Sequence, residues 1–379
     1  MELLDELYSG VPSYGAAEVQ AALGTSYAGT LSVLLLGPTA VALVVEPVLY
    51  LLADRWPRRW FVVGGVAVMG IAAVVAALVS DAWVLFAALS LAFVGSGCAV
   101  NLSQATLVDL YPERRERVMA RWAILGEVGD VLAPLLIGAM ALVALDWRAA
   151  FMAVGGLCLC WAVLLAWQHF PGAVNSEDEE SHSEVGLWRS WVTALSNRRL
   201  MGWLAASAAC DLMDELLVVL AVLYLRDVGM SAEQRTWVLT AGVVGALVGA
   251  ALAERALARV DPMRLLLVAS GGCLVLYVGW LMVSETWVSA LLFFTVGASV
   301  APMYPIASAQ AYAALPGRSG AVHAAGHLFT PVTLGFPWFL GMLADHLGVR
   351  VALCVVLFQP VSLVLAAAAH LSRSLPQPK

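Results

Sequence analysis

The stretch Val48 to Arg59, V-L-Y-L-L-A-D-R-W-P-R-R, decides how this chain is read. An apolar run long enough to cross a bilayer stops at Asp54 and Arg55. Two more arginines follow at Arg58 and Arg59, and a second apolar run begins at Trp60. A short basic loop between two such runs marks a helical hairpin turning at a membrane surface. About two hundred residues later, Gly249 to Arg264 (G-A-A-L-A-E-R-A-L-A-R-V-D-P-M-R) places Glu254 and Arg255 where Asp54 and Arg55 stand. A chain built twice is expected.

Composition agrees with membrane spans on both sides of that loop. Hydrophobic residues make up 61% and charged residues 12%, with a mean hydropathy of +0.86, whereas soluble domains are about 45 to 50% apolar. Outer-membrane barrels alternate polar and apolar residues over segments of about ten. Here apolar stretches of about twenty recur, the length that crosses a ~30 Å hydrocarbon core as helix. The expected fold class is therefore an all-α polytopic membrane protein. Twelve spans are read at roughly 3 to 22, 28 to 53, 60 to 80, 83 to 110, 119 to 145, 149 to 170, 200 to 225, 236 to 256, 264 to 284, 287 to 314, 320 to 343 and 350 to 371.

Between the sixth and seventh spans lies the acidic stretch P-G-A-V-N-S-E-D-E-E-S-H-S-E (171–184). It is followed by L-W-R-S-W-V-T-A-L (187–195), which has the pattern of an interfacial amphipathic helix. The chain divides there into a six-helix half at 1–171, a linker at 172–199 and a second six-helix half at 200–379. Further markers support duplication. Asp5-Glu6 recurs as Asp214-Glu215, Tyr111-Pro112 as Leu315-Pro316, and Pro134 with Gly138 as Pro337 with Gly341. About fourteen span residues precede Asp214 but four precede Asp5; the first helix is then either short on its cytoplasmic side or, as expected here, preceded by a start upstream of Met1.

Sixteen of the 20 Lys and Arg residues fall on one side of this topology, the exceptions being Arg148, Arg226, Arg235 and Arg350. The positive-inside rule puts that side, with both termini and the linker, in the cytoplasm of a cell inner (plasma) membrane. The net charge of −7 comes largely from the linker and from acids inside spans, and nothing points to nucleic acid. All six cysteines (98, 158, 160, 210, 273 and 354) lie in apolar segments, so neither a disulfide nor a metal thiolate site is expected. Glu2, Asp5 and Glu6 stand where a signal peptide would be basic.

With these residues in hand, the chain resembles the major facilitator superfamily of secondary transporters over its whole length. Asp54, Arg55, Arg58 and Arg59 match the family loop pattern G-x-x-x-D-R-x-G-R-R, with Tyr50 and Pro57 in place of its glycines. Gly129-x-x-x-Ala133-Pro134-x-x-x-Gly138 is similar to the fifth-span pattern G-x-x-x-G-P-x-x-G-G that is frequent in antiporters. Leu91, four residues before Gly95, stands where many members carry arginine. The resemblance implies two pseudo-symmetric six-helix halves and a cytoplasmic gate of Asp54, Arg55, Arg58, Arg59, Glu254 and Arg255. It also implies a central cavity lined by the first, fifth and seventh helices.

The sharper chemical signal is acid without base. Asp5, Glu6, Glu46, Glu127, Asp130, Asp211, Asp214 and Glu215 sit within apolar helices, and no Lys or Arg lies deep in any span. A carboxylate at mid-bilayer costs a few kcal/mol or more unless it faces protein, water or a cation. Glu127 and Asp130 are i, i+3, and Asp211 and Glu215 are i, i+4, so each pair shares a helix face. All of these except Glu46 are candidate substrate or proton sites. Glu46, before Pro47, reads as a buried neutral acid bonded to backbone or to another acid. Asn101, Gln104, Met303 and Tyr304 could supply neutral substrate contacts, with Gln310 beside them, or could equally join helix to helix. His323 and His327, i, i+4, are weaker candidates for a metal or proton relay. Pro302 and Pro305 suggest a bend in the tenth span.

The expected function is alternating-access transport of a small solute, with protons exchanged for an exported cationic or amphipathic compound. Cation or metal uptake through the acids, His323, His327 and methionines is the alternative within transport. A non-transporting membrane receptor or assembly factor is the alternative of another class. No nucleophile and base set, phosphate loop or cofactor motif is present, so neither an enzyme nor a cofactor is expected. The expected state is a monomer in the lipid bilayer.

Overall fold

The computed structural model describes residues 1–15, 19, 22–24, 30, 32–142, 145–168 and 187–374, without the side chains of 211–216 and several others. The acidic run Glu177 to Glu184 lies outside the described residues. Among the described residues the helices group into twelve successive segments. The first half holds α1 (Glu2–Tyr14), α2 (Gly37–Ala53, entered through a π-helical turn at Ser32–Leu36), α3 (Arg58–Leu78), α4 (Ala82–Leu110), α5 (Arg115–Leu142) and α6 (Trp147–Trp167). A linker helix at Leu187–Ser196 precedes α7 (Arg198–Asp227), α8 (Ala232–Ala256) and α9 (Pro262–Trp280). The last three are broken: α10 (Thr286–Val300, then Met303–Ala314), α11 (Ser319–Gly326, then Thr330–Leu347) and α12 (Val349–Val356, then Phe358–Ser374).

Polar residues at the joints start these helices. Asp146 accepts from the Arg148 amide at α6, Asn197 from the Arg199 and Leu200 amides at α7, Asp261 from Arg264 at α9 and Glu285 from Val288 at α10. Ser231 and Gln234 form a reciprocal capping box at α8. Each cap satisfies first-turn amides that have no intrahelical partner. Pro302 coincides with the break in α10, where it cannot donate to the preceding turn.

Nine stretches among the described residues are long and apolar enough to cross a membrane. Helices α1, α5 and α7 are not among them, and these three bear Asp5, Glu6, Glu127, Asp130, Asp211, Asp214 and Glu215.

Contacts group the chain into two compact units that do not follow chain order. The first holds Met1–Leu110, Leu125–Ser196 and Leu315–His327; the second holds Tyr111–Ile124, Asn197–Ala314 and Leu328–Lys379. In the first unit, Ala72, Ala73 and Ala76 of α3 pack with Tyr8 of α1 and with Phe151 and Val154 of α6. A Cβ on Gly65 would strike the Gly95 carbonyl, so α3 and α4 cross backbone to backbone. In the second unit, Tyr224, Tyr277, Trp280 and Phe293 stack together, and Trp280 Nε1 donates to Ser289 Oγ at 2.9 Å.

Close approach of small residues is how membrane helices associate when burial of apolar surface gives no advantage over lipid. Gly242, Gly245 and Gly249 line α8 where it crosses α10, and a Cβ on Gly245 would collide with the Phe294 backbone. Gly245→Val is therefore expected to force the helices apart at a cost of about 1 to 3 kcal/mol. A Tm several degrees below wild type in detergent checks this.

Candidate functional site

The loop after α2 is tied to the start of α11. Asp54 Oδ1 accepts from the Gly320 amide and Oδ2 from the Ala321 amide, both at 2.9 Å. Arg318, the residue before this helix, offers no side-chain cap, so the carboxylate of Asp54 satisfies free amides at the positive end of the helix. Arg58 donates to Asp109 Oδ2 at 2.7 Å and to Ser319 Oγ at 2.8 Å, and Ser319 Oγ donates to the same Asp109 oxygen at 2.7 Å. A Cβ on Gly320 would meet the Tyr50 carbonyl and the Asp54 carboxylate, so only glycine lets the two elements come this close. Burial pushes the Asp54 carboxyl above its ordinary range, outweighing Arg58 and the two amides, which favour its charged form. Arg59 donates to the Ala166 carbonyl at the end of α6 and lies 5.9 Å from the Trp60 ring centroid. Arg55 is exposed.

Glu254 at the end of α8 has a related arrangement in the second unit. Its Oε1 accepts from Arg117 Nε and Arg121 Nε, both at 2.7 Å. The two arginines are i, i+4 near the start of α5 and so share one helix face. Gln310 Nε2 donates to Glu116 Oε1 at 3.0 Å alongside. An acid ending the second helix of each sequence half therefore binds near the start of a fifth helix: amides of α11 in one case, arginines of α5 in the other. Arg255 is exposed.

Inside the first unit the candidate acids separate. Ser96 Oγ of α4 donates to Asp5. The neighbouring Glu6 points elsewhere, as successive helical positions must. Its carboxyl meets that of Asp130 on α5, and Ser9 Oγ reaches its Oε2 at 3.2 Å. A Cβ on Gly129 would collide with Glu6, so a glycine one residue before Asp130 admits α1 to this depth. No Lys or Arg among the described residues pairs with Asp5, Glu6 or Asp130. Glu127 is partly buried on the same helix. The side chains of Asp211, Asp214 and Glu215 lie outside the described residues.

The remaining candidates are distributed through the two units. Asn101 Nδ2 donates to Tyr50 Oη at 2.7 Å. Gln104 is buried, and Tyr304 is partly exposed. Met303 is fully buried in the second unit, where its sulfur accepts from Gln359 Nε2 at 3.3 Å. Gln359 also reaches Cys210 Sγ at 3.4 Å.

The His327 amide donates to the His323 carbonyl where the helix ends, so the two lie one turn apart, and His327 Nε2 lies 3.0 Å from Glu46 Oε2. Among the described residues no group of three His, Cys, Asp or Glu could hold a metal. Glu46 accordingly has side-chain partners: Tyr50 Oη also donates to its Oε2, at 2.7 Å. Periodicity along one helix could not reveal these partners, because Glu46 and His327 are far apart in sequence.

Nine stretches of membrane-crossing length among the described residues, with acids holding helix starts, define a polytopic membrane protein. The model of the Major Facilitator Superfamily matches residues 9–330, and the chain belongs to that family, as a membrane transporter rather than an enzyme. The inner membrane transport protein YajR of Escherichia coli (strain K12) is 33% identical over 141 residues, 36% of this chain. That alignment spans 31% of YajR's own length. The fucose:proton symporter FucP of E. coli has a similar structure, with a TM-score of 0.79 at 13% identity over 99% of this chain and 98% of its own. The proton:xylose symporter XylE, bound to 6-bromo-6-deoxy-D-glucose, gives 0.69 at 17% over 99% and 94%. At these identities the structures are alike in fold.

Proposed function

We propose that this protein is a secondary active transporter that exchanges protons for a small cationic or amphipathic compound by alternating access. The observation that carries this reading is the contact of Glu6 with Asp130, two carboxyls with no Lys or Arg partner among the described residues. Like charges this close repel unless a proton or a cation lies between them. A site with that property can hold either and release one as it takes the other. The repeat supports a matching role for Asp211, Asp214 and Glu215 on α7. FucP and XylE are proton symporters by name, which agrees with proton coupling and leaves the direction of solute movement to experiment.

The contacts of Asp54, Arg58, Asp109 and Ser319 support a latch that holds the start of α11 on α2, with Glu254, Arg117 and Arg121 as its counterpart. The asymmetry of Lys and Arg supports placing both latches on the cytoplasmic side of the inner membrane, with halves at 1–171 and 200–379.

A thermal-stability screen of purified protein at about pH 6 and pH 8 tests the substrate class. Tetraphenylphosphonium and ethidium are expected to raise Tm, and more so at pH 8, where fewer protons compete for the acids. Stabilisation by fucose or xylose with none by either cation would overturn the cationic reading.

A further inference from the structure

Arg198 and Arg199 open α7, and both line one hollow of about 700 Å³ in the second unit, where the start of α7 meets the end of α12. Gly202, Trp203, Ala366, Ala369 and His370 form the rest of its wall. Helical spacing brings them together: Gly202 lies one turn beyond Arg198 and Trp203 one turn beyond Arg199, while Ala366, Ala369 and His370 share one face of α12. The hollow is open because its apolar wall is small. A Cβ on Gly202 would meet nothing within 4 Å, and α12 contributes two alanines.

The two guanidinium groups are not neutralised by carboxylates. Among the described residues no ion pair involves Arg198 or Arg199, and Arg199 Nη2 reaches a neutral group, Gln310 Oε1, at 3.5 Å. The first amides of α7 are already taken, since Asn197 Oδ1 accepts from those of Arg199 and Leu200 at 3.1 Å. An anion in the hollow is therefore met by side chains and not by the helix end.

Deeper along α12 the surface is apolar. Phe358, Ser362, Leu365 and Ala369 are exposed, and at i, i+4, i+7 and i+11 they form one stripe roughly 16 Å long. Ser362 Oγ donates to the Gln359 carbonyl at 2.7 Å, so the hydroxyl in this stripe is satisfied within its own helix. We propose that Arg198 and Arg199, with His370 across the hollow, hold the phosphate of an anionic phospholipid whose acyl chain follows the α12 stripe. The chemistry selects that class. A phosphodiester accepts the forked donors of guanidinium groups, and basic pockets between membrane helices suit such headgroups. Two cations without a carboxylate favour a lipid of net negative charge over a zwitterion, whose ammonium would lie beside them. A free phosphate ester would meet the charges but leave the apolar stripe unused.

The site does not depend on the acids of α1 and α5. Native mass spectrometry of the delipidated full chain in detergent, titrated with dioleoylphosphatidylglycerol or dioleoylphosphatidylcholine, reads the preference. The wild type should hold one phosphatidylglycerol about tenfold more tightly than phosphatidylcholine, and Arg198→Gln combined with Arg199→Gln should bring the two lipids within about threefold. Ala366→Leu keeps every charge but fills the hollow, and should weaken phosphatidylglycerol by a similar factor. Arg259→Gln combined with Arg264→Gln removes as much charge from exposed positions outside the hollow and should leave the preference intact. Excess glycerol phosphate should not displace the lipid. Equal affinity for the two lipids in the wild type, an undiminished preference in the Arg198 and Arg199 variant, or displacement by glycerol phosphate would overturn the inference. Should Ala366→Leu fail to fold, the arginine variant still decides, because both of its positions are exposed.

Discussion

Asp54→Ala is expected to lower transport turnover about 100-fold while leaving ligand affinity within a few-fold of wild type. Removing the carboxylate strips the Gly320 and Ala321 amides of their acceptor and Arg58 of one partner. Unsatisfied buried amides cost about 1 to 3 kcal/mol each, and part of that is recovered by water and by Asp109. A net loss of about 2 to 3 kcal/mol moves a two-state equilibrium by roughly 30- to 150-fold. A carrier that no longer closes cannot complete its cycle, although its binding site persists. Asp54→Asn should be intermediate, because an amide oxygen accepts from one backbone N–H while its NH2 group faces the other. Gly320→Ala should resemble Asp54→Ala with every charge retained, since its Cβ enters the space of the Asp54 carboxyl. Near-normal turnover in all three, measured as flux into proteoliposomes, would remove the latch from the account.

The second large effect is expected at the paired acids. Glu6→Gln and Asp130→Asn should each weaken binding of tetraphenylphosphonium by about tenfold, equivalent to ~1.4 kcal/mol for loss of one charged partner. Asp5→Asn should do less. Asp5 is engaged by Ser96 on α4, whereas Glu6 faces another carboxyl, so the proposed cation site should lose most when Glu6 or Asp130 is neutralised. Equal losses in all three variants would mean that the acids act through overall negative potential rather than through one contact.

Much of this architecture could be read from residue order. Apolar runs of about twenty residues end at polar groups, and Asp146, Asn197, Ser231, Asp261 and Glu285 stand at those ends as caps. Helix starts and stops are local, so local pattern shows them. The break in α10 follows equally from Pro302. Partnerships across the fold are different in kind. Asp54 shows in sequence as an acid among arginines, but nothing near it reveals that its oxygens accept amides 266 and 267 residues away. Gly320 was silent for the same reason, because it matters through a Cβ that it lacks. Glu46 and His327 show the same limit. Pattern along the chain offers Glu46 the backbone or another acid and offers His327 a metal or a proton relay with His323, since helical spacing ranks neighbours on the same helix and ignores those on other helices. Met303 illustrates the limit for uncharged residues, whose burial against Gln359 leaves no mark in composition.

The most direct test of the central claim is the number of protons released when a cation binds. In weakly buffered solution near pH 7, addition of tetraphenylphosphonium to the purified protein should release about one proton per cation bound, because the proton and the cation compete for the same pair of carboxyls. In the double variant Glu6→Gln, Asp130→Asn that release should vanish. Binding without proton release in the wild type, or undiminished release in the double variant, would contradict exchange at Glu6 and Asp130.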